Sequence, residues 1–189
     1  MPEQVEIAPL PQGKGGYAHW FALAMLVIIL DQWAKYAILG HFSRDETLPV
    51  TSFFNLTLAY NEGAAFGMLN EAGGLQRWLF AALGIGASVW IAFMLVKHGG
   101  KKLFSLALAL IMGGALGNVV DRFSHDGHVV DFLDFHWGMH HFAVFNLADA
   151  AITCGAMLLL LESFIDNRRT RRAHPASTGD ESGKMKREE

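Results

Sequence analysis

Several acidic side chains of this sequence stand inside or beside long apolar runs. Asp149 heads one such run, Asp31 and Asp121 interrupt or end two others, and Asp131 and Asp134 lie within VVDFLDF. Desolvating a carboxylate is costly, so acids in such places usually serve a function. Two acids crowded together lose their protons in separate steps. The ionised acid can take a proton from water while the protonated acid polarises a carbonyl and later serves the leaving amine, which is aspartic peptide hydrolysis.

Four stretches of the chain are apolar enough to carry these acids into a membrane. Hydrophobic residues make up 52% of the 189 residues, which is high for a soluble domain of this size. A helix needs roughly 20 residues to cross a bilayer. We therefore predict an all-α integral membrane protein with four transmembrane helices, at about 18–40, 76–96, 103–121 and 145–165.

The distribution of basic residues predicts how the spans are oriented. Lys97, Lys101 and Lys102 lie between the second and third spans, and Arg168 begins a basic tail after the fourth. Short cytoplasmic loops are enriched in Lys and Arg. We therefore place both termini in the cytoplasm, with a tail at 1–17, a membrane-embedded domain at 18–166, and a disordered tail at 167–189 that is rich in Ser, Gly and charge.

Two segments then face outwards. The segment 45–70 has the alternating, Thr-rich and aromatic character of short strands, followed by a short apolar stretch, which predicts a small β element and a short interfacial helix. The segment 122–144 is predicted to be an outer loop. In this topology the polar residues of the first, third and fourth spans meet at one depth, near the outer boundary of the hydrocarbon.

Each of these polar residues also has a purely structural interpretation. Asp31 and Lys35 could form an i,i+4 ion pair. Asp121 and Arg122 could form an interfacial ion pair. Asn146 could be a helix N-cap, with Asp149 as an acid in the first turn. Structural roles alone give no reason for three acids to converge at one depth, so the joint placement favours a site.

Two other chemistries remain open on the residues alone. A zinc protease could use the His-rich outer segment, although its spacing lacks the HExxH pattern. That segment contains His125, His128, His136, His140 and His141. A small proton-coupled transporter could use the buried acids as relays. Acids confined to one depth and the absence of matching halves count against the transporter.

Five sequence blocks in order resemble the lipoprotein signal peptidases, or bacterial signal peptidase II. They are DQWAK at 31–35, NEGAAFG at 61–67, GNVVDR at 117–122, VVDF at 129–132 and FNLAD at 145–149. The resemblance implies a membrane-embedded aspartic endopeptidase of the bacterial inner membrane, with its active site at the outer face. It would remove the signal peptide from diacylglyceryl-modified prolipoproteins, cleaving just before the lipid-modified cysteine.

The resemblance also implies roles for individual residues. Asp131 and Asp149 would be the catalytic pair, and the other site residues would hold the substrate backbone and the pair or brace them from behind. Those residues are Asp31, Lys35, Asn61, Gly63, Asn118, Asp121, Arg122 and Asn146. The family implies no cofactor or metal. Prolipoproteins and membrane lipids would be the partners of a monomeric enzyme that binds no nucleic acid.

Three acids are candidates for the partner of Asp149. We rank Asp131 first, Asp121 second and Asp134 third, because a contact with Arg122 would hold Asp121 ionised and in a structural pair. Glu62 departs from the small polar residue that is common in the family. The resemblance gives no role to the histidines.

Overall fold

A computed structural model of the chain describes residues 16–63 and 75–173. It contains four long helices and four strands. In chain order they are α1 (Ala18–His41), β1 (Thr47–Pro49), β2 (Phe54–Asn61), α2 (Leu75–His98), α3 (Lys102–Ser124), β3 (Val129–Trp137), β4 (His140–His141) and α4 (Leu147–Ala173).

All four helices are long and apolar enough to cross a membrane, which confirms the predicted number of such helices. The fourth helix continues to Ala173, past the predicted end of the span at 165. The first residues of the predicted cytoplasmic tail, 167–173, are therefore helical, and the rest of that tail lies outside the described residues. The predicted interfacial helix also falls outside them, at 64–70.

Small residues on α3 let the other helices approach it closely. A Cβ atom added at Gly114 would overlap the backbone oxygen of Ala148 in α4, and one at Gly117 would lie 2.8 Å from Oδ2 of Asp31 in α1. Close approach of this kind is how helices associate in membranes, where burial of apolar surface gives little driving force. The packing holds α1 and α4 against α3 at the level of the polar residues.

The strands form one antiparallel sheet with the order β1-β2-β3-β4. The prediction of a small β element in 45–70 is confirmed by β1 and β2, but the segment 122–144, predicted as a loop, supplies β3 and β4. Asn61 pairs with Val129, and Ala59 with Asp131. The sheet packs on the last turns of α1 through a buried cluster of Ile38, Leu58, Val130 and Phe132.

Candidate active site

The sheet and the bundle meet where the sequence places its polar residues. α1 supplies Asp31 and Lys35, α3 supplies Asn118, Asp121 and Arg122, and β3 supplies Asp131. Asp149 lies in the first turn of α4 with Asn146 just before that helix, and Asn61 ends β2 with Gly63 two residues beyond it. All ten predicted site residues therefore lie in or near elements that converge at one end of the bundle.

Asp131 is held on β3 by two amides. Its Oδ2 accepts a hydrogen bond from Nδ2 of Asn61 at 2.9 Å, and its Oδ1 accepts one from Nδ2 of Asn146 at 2.6 Å. The residue is only 1% exposed. A strand rather than a flexible loop carries this carboxyl group, so its position is fixed by the pairing of β3 with β2.

Asp149 lies in the first turn of α4. Its Oδ1 accepts a hydrogen bond from Nδ2 of Asn118 at 2.7 Å, and its Oδ2 accepts one from the backbone N–H of Asn146 at 3.3 Å. In return, the backbone N–H of Asp149 donates to Oδ1 of Asn146 at 2.9 Å. This is a reciprocal capping box, and the helix N-terminus favours a negative charge on Asp149.

Asn146 joins the two acids. Its side chain is completely buried, donates to Asp131 and accepts from the backbone of Asp149. The same side chain of Asn146 therefore caps α4 and contacts Asp131. Asn146 therefore links the carboxyl group of Asp131 to the first turn of α4, which carries Asp149.

The surroundings of Asp131 favour its protonated form. Burial raises the pKa of this carboxyl group, and the nearby charge of Asp149 raises it further. Hydrogen bonds from Asn61 and Asn146 oppose the rise, and the pKa of Asp131 is raised from 3.8 to about 7. Asp131 can therefore carry a proton near neutral pH.

Lys35 forms a buried ion triad with Asp31 and Asp121. Its Nζ lies 2.8 Å from Oδ2 of Asp31 and 2.8 Å from Oδ2 of Asp121, and all three residues are at most 1% exposed. A third hydrogen bond reaches Oδ1 of Asn118 at 3.1 Å. The triad is thus connected to Asp149 through the amide of Asn118.

The cation that contacts Asp121 is Lys35, and the expected contact with Arg122 is not formed. Adjacent residues on a helix do not face each other. Nη1 of Arg122 instead donates to the backbone oxygen of Asn118 at 3.0 Å, and its guanidinium lies 5.2 Å from the ring centroid of Phe80. Asp121 therefore does belong to a structural ion pair, but its partner is Lys35.

Gly63 lets the chain after β2 pass close to Arg122. Its φ is 78°, and an added Cβ would lie 2.9 Å from the ring of Phe80 and 3.3 Å from Nη2 of Arg122. The backbone N–H of Gly63 donates to Oδ1 of Asn61 at 2.8 Å, which orients that amide for its bond to Asp131. A side chain at this position would displace the residues beside the acid pair.

Asp134, His136 and His141 form a separate group, farther along the sheet. His125 and His128 are not part of it, since His128 lies at the other end of β3, beside Glu62. Asp134 accepts hydrogen bonds from Nδ2 of Asn55 at 2.7 Å and from Nδ1 of His141 at 2.9 Å. Burial would raise the pKa of Asp134, but these bonds outweigh it and the pKa lies below its usual value. Across residues 16–63 and 75–173, no three His, Cys, Asp or Glu side chains are arranged to hold a metal ion.

We predict that replacing Asp131 changes how stability depends on pH. A carboxyl group with a raised pKa binds a proton in the folded state that the unfolded chain has released, so its contribution is complete below about pH 4 and is lost as pH rises through about 7. Between pH 5 and pH 8 the wild type should lose on the order of 2 kcal/mol relative to Asp131→Asn. Thermal unfolding in detergent at several pH values measures this.

Asp134→Asn is the matched control on the same strand. Because the pKa of Asp134 is lowered, its contribution is lost only in more acidic solution, and this variant should follow the wild-type curve from pH 5 to pH 8. Parallel curves for wild type and Asp131→Asn would show that Asp131 does not titrate in this window.

Four helices of membrane-spanning length, with acidic and amide side chains gathered where a small sheet meets one end of the bundle, indicate a polytopic membrane protein. The model of the signal peptidase (SPase) II family matches residues 23–165. The chain belongs to the signal peptidase II family.

Relatives and solved structures agree with this assignment. The lipoprotein signal peptidase of Burkholderia vietnamiensis (strain G4 / LMG 22486) is 55% identical over 158 residues, covering 84% of this chain and 95% of that protein. That of Burkholderia multivorans (strain ATCC 17616 / 249) is 55% identical over 160 residues, covering 85% and 94%. A solved bacterial membrane enzyme, determined by the in meso method, superposes with a TM-score of 0.69 at 30% identity, covering 79% of this chain and 89% of that one.

Proposed function

We propose that this protein is a membrane-embedded aspartic endopeptidase that removes the signal peptide from diacylglyceryl-modified prolipoproteins. Cleavage falls just before the lipid-modified cysteine. The observation that carries the proposal is the pair Asp131 and Asp149, which are joined through Asn146. Side-chain amides donate hydrogen bonds to both carboxyl groups. Membership of the signal peptidase II family supports the substrate class.

The two acids divide the proton transfers between them. Asp149 accepts a proton from water as the water oxygen attacks the carbonyl carbon, and protonated Asp131 donates a hydrogen bond to the carbonyl oxygen. As the carbon–nitrogen bond breaks, the proton of Asp131 passes to the leaving amine. The products are a carboxylic acid and an amine, and transfer of the proton from Asp149 back to Asp131 restores the starting state.

The remaining polar groups hold the pair and the substrate. Asn61, Asn118 and Asn146 fix the carboxyl groups, as their hydrogen bonds indicate. Arg122 lies beside Gly63 with its Nε buried and unbonded, so its guanidinium has hydrogen-bonding capacity left for a substrate carbonyl. Asn61 lies at the exposed end of β2 and can contact the same peptide backbone.

The placement in the membrane follows from the charges at the two ends of the bundle. Lys97 lies in the last turn of α2, Lys101 in the connection and Lys102 at the start of α3, at the end away from the acids. The rule that basic loops stay inside supports both termini in the cytoplasm and the acid pair at the outer face of the bacterial inner membrane. The acyl chains of the substrate would hold its scissile bond at that depth, where a monomer can act on it.

Cleavage of a defined precursor tests this function. We expect the purified protein in detergent to cut a diacylglyceryl-modified precursor peptide immediately before the modified cysteine, as measured by the masses of the products. The matched control is the same peptide without the diacylglyceryl group, which should be cut much more slowly. Intact modified precursor after long incubation with folded protein excludes the function.

A chelator provides the second arm of the same experiment. Because two carboxyl groups activate water without a metal, we expect the rate to be unchanged after treatment with EDTA. Loss of turnover that returns only on addition of zinc would instead favour the His-rich segment as the site.

A further inference from the structure

Asp31 holds the first turn of α4 from the side. Its Oδ1 accepts a hydrogen bond from the backbone N–H of Ala148 at 2.9 Å. Ala148 is completely buried and directly precedes Asp149. Charge-assisted bonds of this kind are about twice as strong as neutral ones. The position of Asp31 therefore sets the position of the backbone that carries Asp149.

Asp121 holds β3 in the same way. Its Oδ2 accepts a hydrogen bond from the backbone N–H of Val130 at 2.9 Å. Val130 is completely buried and directly precedes Asp131. Each acid of the pair thus follows a residue whose backbone is bonded to a buried carboxylate.

Gln32 and Lys35 both connect these two carboxylates. Lys35 contacts the same oxygen of Asp121, Oδ2, that Val130 uses. Nε2 of Gln32 lies 2.7 Å from the other oxygen, Oδ1, and 3.2 Å from Oδ2 of Asp31. Within the described part of the chain, Gln32 gives Oδ1 of Asp121 its only hydrogen bond.

Without Gln32, the carboxylate of Asp121 could rotate. Lys35 could follow either oxygen because an ammonium group has no fixed orientation. The amide of Gln32 is fixed by the backbone oxygen of Gly117, which it contacts at 3.2 Å. The neutral amide, rather than the cation, therefore decides which oxygen faces β3.

We propose that Gln32 is a positioning residue for the acid pair. It prevents rotation of the Asp121 carboxylate, keeps Oδ2 on the N–H of Val130, and so fixes Asp131 relative to Asp149. The inference rests on the proposed function of that pair.

The test is Gln32→Met, which keeps the length and volume of the side chain and removes both donors. We expect kcat on the diacylglyceryl-modified peptide to fall about tenfold or more, because small misplacements of reacting groups are costly. KM should stay within about twofold of the wild type. Tyr36→Phe is the matched control on the same helix, since Tyr36 is 79% exposed, and it should leave kcat unchanged.

The pH dependence of kcat separates positioning from a loss of folded protein. The alkaline limb reports the proton on Asp131. The groups that face Asp131 are Asp149 of α4, Asn146 just before that helix, Asn61 of β2, Lys35 of α1 and Arg122 of α3. If Asp131 moves away from Asp149, the repulsion that raises its pKa weakens, and the limb shifts to lower pH. A smaller amount of correctly folded enzyme would lower kcat at every pH without this shift.

A wild-type kcat and an unshifted limb in Gln32→Met would overturn the inference, and so would a reduced kcat with an unshifted limb. Gln32→Glu has nearly the same shape and serves if the Met variant does not fold. It replaces the donors with a third carboxylate, so we expect a larger loss of kcat at neutral pH than for Met, and wild-type activity would again overturn the inference. Failure of the wild type to cleave the peptide rejects the proposed function instead.

Discussion

Asp131→Asn and Asp149→Asn should each lower turnover by at least about a thousandfold, and the double variant should be little worse than either single variant. An amide cannot accept a proton from water or donate one to the leaving amine as a carboxyl group does. Residues that transfer protons as one unit lose most of their effect when either is removed. Single-turnover cleavage of the diacylglyceryl-modified peptide, with product masses as the readout, measures all three variants.

Asp134→Asn is the control for this experiment. Asp134 is buried on the same strand as Asp131, but it is bonded to Asn55 and His141, so its replacement should leave turnover largely intact. Near-normal turnover in Asp131→Asn, together with an inactive but stable Asp121→Asn, would identify Asp121 as the partner of Asp149. Asp121→Asn should instead lose activity and stability together, because it weakens both the ion triad and the bond to Val130.

Lys35→Met should destabilise the folded protein by about 3–5 kcal/mol. The replacement keeps an apolar stem of similar length but leaves Asp31 and Asp121 buried without their cation. A buried charge without a partner is much more costly than the pair is beneficial. The apparent melting temperature in detergent should fall accordingly, and turnover should be lost with it.

Two further variants test the cause of that loss. Lys35→Met combined with Asp31→Asn should recover part of the stability, since one uncompensated charge is gone and the amide oxygen can still accept from Ala148. Arg44→Met removes the cation from an exposed pair with Asp45, whose side chains are 69% and 80% exposed, and should have little effect. Equal effects of Lys35→Met and Arg44→Met would contradict the role of the ion triad.

Hydropathy predicted the four long helices because a bilayer sets a minimum length for an apolar helix that crosses it. The start of α1 at Ala18 and the placement of Asp31 and Lys35 on one helix face could be obtained from sequence spacing alone. The end of α4 could not, since a charged helix can continue into water beyond the membrane. The segment after the span is polar, yet it stays helical to Ala173.

The strand β3 was not predicted because its own residues lack a strand pattern and its extended form depends on a distant part of the chain. The run VVDFLDF is apolar on both faces of the strand, so it lacks the alternation that marks an exposed strand. It is extended because it pairs with β2, more than 60 residues earlier in the chain, as the register of Asn61 with Val129 shows. Pairings of that kind cannot be obtained from spacing.

The same limit applies to the contacts behind the acid pair. The i,i+4 spacing predicts the contact of Lys35 with Asp31, but the contact of Lys35 with Asp121 joins two helices. Gln32 gave no signal at all, because a single amide in an apolar helix has many ordinary roles. Two of its three contacts, with Gly117 and Asp121, depend on how closely α1 packs against α3.

The anchoring of the acid pair through main-chain N–H groups has a consequence for how this enzyme can change over evolutionary time. Every amino acid except proline carries the N–H that Asp31 or Asp121 requires, so neither contact restricts the side chain at 130 or 148. Substitutions there are limited by the available volume, which is small at 148, where Gly114 and Gly117 approach closely. Substitutions at positions 130 and 148 can thus change the packing of the interior during evolution without changing the distance between Asp131 and Asp149.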